Sequence, residues 1–147
     1  MPSGHGAIGY PTNRLLAAID DPAEAAAAHA ELAADGFATR DLEILRGDEG
    51  ADRMDGRATS RAGSVGCGAF DFTLMDQLVD FAWYEWALRH GRAVVMVRVR
   101  GDEPKAAAYA VPKRHGGHFI NYYGRFATEE LDLWRGLEPD VRNLLRR

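Results

Sequence analysis

Apolar and polar positions recur in one order twice along the chain, 82 residues apart. The first copy runs Arg14-Leu-Leu-Ala-Ala-Ile19, the acidic pair Asp20-Asp21 before Pro22, an alanine-rich stretch to Ala34, then Gly36-Phe37. The offset carries Asp20 onto Asp102, Asp21 onto Glu103 and Pro22 onto Pro104, and the far ends drift by a residue or two. Each copy reads as strand, turn, helix, strand.

In the first copy, Leu15–Ile19 is a short apolar run suited to an interior strand. Asp21 as N-cap, Pro22 in the first turn and Glu24 three residues on open a helix over Pro22–Asp35, which Gly36 stops. Asp41–Arg46 alternates weakly, as an edge strand does.

In the second copy, Val95, Val97 and Val99 share one face and Val94, Met96, Arg98 and Arg100 the other, so Arg92–Arg100 is the clearest strand. Asp102-Glu103-Pro104 opens the second helix. Pro112 predicts a kink or an early end there, because it removes a backbone donor and crowds the preceding turn. His118–Tyr123 follows as the last strand, and Thr128-Glu129-Glu130-Leu131 reads as the cap of a short helix that Gly136 interrupts. Pro139–Arg146 predicts a final helical turn or two.

Between the copies, Asp71–His90 is the strongest helix. Leu74, Leu78, Phe81, Ala82 and Leu88 form one stripe, with Met75, Val79, Trp83 and Trp86 beside it. So wide an apolar arc needs cover on more than one side. Val79, Phe81, Trp83 and Trp86 are therefore candidate interface residues, in a homodimer, against another protein partner, or under the chain's own C-terminal segment. Residues 47–69 read as a Gly-rich connecting segment with one helical turn at Ala51–Met54.

Two interleaved βαβ units predict an α+β fold of the ferredoxin-like, split βαβ kind: a four-stranded antiparallel sheet with two helices on one face. Leu15–Ile19 and Arg92–Arg100, the most apolar strands, belong side by side at its centre, and the long helix is an insertion between the halves. The offset matches Leu15 to Val97 and Ala17 to Val99, so that face should receive the helices.

At 147 residues and 46% hydrophobic, the chain supports a single domain over 13–147 after a loose Gly/Pro lead-in at 1–12, stable without a disulfide or metal. Cys67 is alone and reads as inert. Net charge is −4, and apart from Lys105 and Lys113 every basic residue is a scattered Arg, which argues against a nucleic-acid partner. No apolar run reaches membrane-spanning length and no leader pattern opens the chain, so a cytoplasmic protein without membrane contact is expected.

Signatures of chemistry are sparse. The phosphate loop, the nucleophile elbow, the paired carboxylates and CxxC are all missing, so no catalytic residue, cofactor or metal is assigned. His115 and His118 have a spacing that can serve a metal, but glycines separate them and no Cys or carboxylate lies near in sequence. The structural reading sets His115 at the negative end of the second helix and gives His118 a backbone partner. His118, Asn121, Tyr122, Tyr123 and Arg125, with Arg98 and Arg100 across the sheet, offer donors and flat surfaces for a small anionic or aromatic ligand.

Gly36-Phe37 through Asp41–Ala51, Tyr84–Leu88, and above all His115-Gly-Gly-His118-Phe-Ile-Asn121-Tyr122-Tyr123-Gly124-Arg125 with Glu129-Glu130-Leu131 resemble a family of small bacterial proteins related to the general stress protein 17M type, or heat-induced stress domain. The resemblance covers roughly 13–131. It implies a ferredoxin-like fold and a stress-associated role, and brings no catalytic residues. The chain departs from that pattern at Pro112 and in the shortness of Gly63–Gly68. The expected function is a non-enzymatic bacterial accessory or stress-associated protein acting through an oligomer or partner interface. The alternative is a small-molecule-binding or enzymatic module built on His118, Asn121, Tyr122 and Arg125.

Overall fold

The computed structural model describes residues 12–54, 71–124 and 127–139, with the side chains of 71–79 left aside. Val79 as an interface residue, Cys67, the glycines of 63–68, Arg125 and the helical turns expected after Pro139 lie outside that description.

The first copy forms β1 (Arg14–Ile19), α1 (Pro22–Ala34), a 3-10 turn (Thr39–Asp41) and β2 (Leu42–Arg46). A short helix α2 (Gly47–Arg53) and the long helix α3 (Asp71–Arg89) follow. The second copy forms β3 (Ala93–Arg98), α4 (Asp102–Arg114) and β4 (His118–Tyr123), and β5 (Thr128–Asp132) closes the order. The caps follow the local chemistry. Asp21 accepts from the Ala23 amide at 2.9 Å with Pro22 in the first turn, and Gly36 takes φ +108° just beyond α1.

The sheet is antiparallel and open, in the order β2-β3-β1-β4-β5. As expected, β1 and β3 lie side by side between β2 and β4. Leu15 sits directly opposite Val97, its own counterpart 82 positions on, so the local twofold relating the copies passes between these two residues.

Strand alternation then builds two cores. Leu15, Ala17, Ile19, Val95, Val97 and Val99 pack with Ala25, Ala28 and Leu32 of α1 and Ala108 and Val111 of α4. On the other face Leu16, Ala18, Val94 and Met96 pack with Ala51 and Met54 of the α2 region and Phe81, Tyr84 and Leu88 of α3. The alanine-rich helices lie close on their face, and the aromatic helix fills the other.

Three expectations are corrected. The sheet has five strands rather than four, because Thr128–Leu131 does not cap a helix but pairs along β4, with Tyr122 opposite Glu129 and Ile120 opposite Asp132. The free ladder of β4 outweighs a local capping signal, and Lys105 to Glu129 (2.8 Å) and Lys113 to Asp132 tie the strand to α4. Consequently the tyrosines of β4 lie inside the sheet, not on its edge.

Second, the connecting segment begins with a full helix, α2. A Cβ on Gly50 would lie 3.1 Å from that of Leu45, so the glycine that suggested a loop instead permits close packing on β2. Third, Pro112 does not end α4 early, since the helix runs on to Arg114. Its carbonyl accepts from His115 (3.0 Å) and Gly117 (2.7 Å), and a Cβ on Gly117 would fall 2.6 Å from that oxygen. The proline thus sits in a last turn that folds back through Gly117 into β4.

Candidate functional site

The described polar residues singled out in the sequence distribute over five places. Asn121 and Tyr123 face α3, where Tyr84 is fully enclosed. The Tyr84 hydroxyl lies 2.8 Å from the Phe119 carbonyl and 3.2 Å from that of Leu16, and it accepts from Asn121 Nδ2 at 3.0 Å. Tyr123 donates to Asp80 Oδ2 at 3.0 Å, and its ring meets Phe81 edge to face. Burial pushes the Tyr84 hydroxyl far up, with the Asp80 charge adding to it; burial, Tyr84 and Asp80 do the same for Tyr123. Both stay neutral phenols and act as bolts between α3 and the sheet.

Phe119 explains how these groups reach one another. It adopts φ +47°, and the β1–β4 and β4–β5 registers both shift beside it. The irregularity turns its carbonyl to Tyr84 while its ring packs against Tyr84, Trp83 and Trp134.

His118, at the start of β4, is buried with both ring nitrogens engaged. Nδ1 accepts from the Arg135 amide at 3.1 Å, so Nε2 carries the proton and donates to Asp20 Oδ1 at 2.8 Å. Arg92 Nε reaches the same Asp20 oxygen at 3.0 Å. Partial burial raises the Asp20 pKa, but the hydrogen bonds and charges of His118 and Arg92 outweigh it and hold the carboxyl below its ordinary value. The His118 ring also stands edge-on to Trp134 at 4.7 Å. This is a carboxylate–histidine pair with no nitrogen left to move a substrate proton. It fastens the strap after β5 to the turn after β1.

Among the described residues His115 joins neither His118 nor a group of side chains that could hold a metal. Its two nitrogens meet Glu24 (2.8 Å) and Glu31 (2.9 Å) of α1 at the C-terminal end of α4. Tyr122 lies on the α1/α4 face, its hydroxyl 3.3 Å from Asn13 Oδ1 and its ring 4.9 Å from the Lys105 ammonium. Arg98 and Arg100 line a separate cleft of about 470 Å³ with Phe37, Asp41 and the first turn of α4. Arg98 Nε is buried there without a hydrogen-bond partner, alone in this among the buried side-chain atoms of the described residues. The described members of the ligand set proposed from sequence, Arg125 lying outside them, therefore do not converge.

The candidate interface of α3 is largely covered from within. Phe81 is enclosed, and Trp134 meets both half-buried tryptophans, Trp83 at 5.6 Å and Trp86 at 6.0 Å. Trp86 also stacks on His90 and lies under Arg92. Sequence reasoning passed over Tyr84, Asp20 and Trp134. Tyr84 carried a usable signal, since it falls on the Phe81–Leu88 stripe and a buried phenol needs a partner.

No family model, curated protein or solved structure matches the chain. No helix among the described residues is long and apolar enough to cross a membrane.

Proposed function

We propose that this chain is a non-enzymatic accessory protein of the stress-associated kind that its β4 segment resembles, working in the cytoplasm through contact with another protein. Its frame reads as ferredoxin-like: β2-β3-β1-β4 with α1 and α4 on one face is the split βαβ pattern, to which β5 and the α2/α3 layer are added. The observation that carries the reading is the disposition of the buried polar groups. His118 directs both nitrogens, Tyr84 and Tyr123 their hydroxyls, and Asn121 its Nδ2, to partners within the chain. A site for chemistry needs such groups aimed at a substrate.

A second reading is favoured by the orphaned Arg98 Nε: a small anion, such as a carboxylate, held between Arg98 and Arg100. A thermal-shift screen with metabolite anions separates the two. The accessory reading expects no saturable shift. A saturable shift lost on Arg100→Ala, in a protein that keeps its own melting temperature, would establish the second reading and overturn the first.

A further inference from the structure

Among the described residues the sheet has two edges that no further strand covers, and they differ. Along β5, Glu129, Glu130 and Asp132 set charges of one sign against any added strand. Strand β2 has no proline, glycine or bulge: its register with β3 is unbroken from Leu42 to Arg46, and its charges are Glu43, held by Arg53, and the terminal Arg46. Its outer row of backbone groups faces a groove of about 690 Å³, walled by His29 of α1 on one side and by Glu49 and Arg53 of α2 on the other.

Among the charged side chains lining this groove, Arg40, Arg46 and Arg53 outnumber Glu43 and Glu49. Glu43 and Arg53 bind each other. Arg46 at the end of the strand and Arg40 just before its start are exposed, and neither has a hydrogen-bond or ion-pair partner among the described residues. Among the described residues, a strand's worth of backbone without a ladder partner thus lies between two guanidinium groups that have none either, in a chain whose net charge is −4.

We propose that the β2 edge docks an extended, acidic segment of a partner protein, which adds to the sheet as a sixth strand and sets carboxylates against Arg40 and Arg46. This deepens, and rests on, the accessory reading. Main-chain hydrogen bonds would supply the affinity, and the terminal charges would fix register and direction. The walls favour a lone strand over a second copy, because the β2 edge of another copy would bring its own α1 and α2 against those already present. The β5 edge of another copy is a poorer match, since Glu129 and Asp132 are already held by Lys105 and Lys113.

The test pans a displayed library of random decapeptides against the full chain. Enriched peptides should alternate β-branched residues and carry Asp or Glu near both ends. A synthetic copy of the best binder should lose about tenfold in affinity against the Arg40→Glu, Arg46→Glu protein, whose exposed substitutions leave the fold intact by circular dichroism. N-methylating every second peptide amide should abolish binding in one phase and spare it in the other, since only one phase faces β2. An empty selection, binders without acidic ends, indifference to the charge reversal, or equal tolerance of both N-methyl phases would each overturn the site. So would a dimer by light scattering that the double variant dissolves, which would make the occupant a second copy. None of these results touches the accessory reading itself, which falls instead on a saturable metabolite response.

Discussion

Tyr84 shows how a single hydroxyl can unite three elements. It joins α3 to β1 and β4 in a buried site, so removing it leaves the Asn121 amide and the Phe119 carbonyl each short of a partner. Tyr84→Phe should therefore cost about 1–3 kcal/mol in a denaturant titration, although no apolar contact is lost. Asp20 acts at the opposite, exposed extreme. Its pKa is lowered in the folded chain, so its contribution is complete above the ordinary carboxylate value of about 4 and is lost as pH falls below that. Stability measured from pH 5 down to pH 2 should drop less steeply for Asp20→Asn than for the parent, and solvent screening keeps the difference small. Parallel acid limbs in the two proteins would remove Asp20 from the account.

At the scale of elements, the strap after β5 decides how α3 is covered. Trp134 lies against Trp83, Trp86, Phe119 and His118, and the Arg135 amide is pinned to His118 Nδ1. Trp134→Ala should lower stability by about 2 kcal/mol, less than the ~3–5 kcal/mol of a fully enclosed tryptophan, because the ring keeps some exposure. The same change should shift the emission of the remaining tryptophans to the red. An unchanged spectrum would mean that the strap does not cover α3 in solution.

For the whole molecule, the consequence is an aromatic layer closed by its own chain. Phe81 is enclosed and the two helix tryptophans are capped by Trp134, so the described part of the α3 arc, from Phe81 on, does not by itself require a second subunit. Light scattering of the free protein should return the monomer mass of 16.2 kDa, with Trp134→Ala raising the tendency to associate. A stable dimer in the parent protein would show that the aromatic layer is an interface after all.

The sequence by itself determined strands β1 to β4, helices α1 and α4 and the central pairing of β1 with β3. These rest on short-range signals: a period of two in Val95, Val97 and Val99, a proline after an aspartate at the start of α1, and an 82-residue repeat that makes Leu15 and Val97 equivalent. Only the tertiary structure decided the rest. Thr128–Leu131 became a strand because β4 offered it an unpaired ladder, and Gly50 served a helix because Leu45 needed to come near. The candidate site suffered most. Residues close in sequence on β4 were read as one cluster, yet alternation and the turn at Phe119 sent Asn121 and Tyr123 under α3, Tyr122 to the opposite face and His118 to Asp20, a residue 98 positions away. Local pattern encodes which face a side chain takes; what it meets there is set by packing between distant segments.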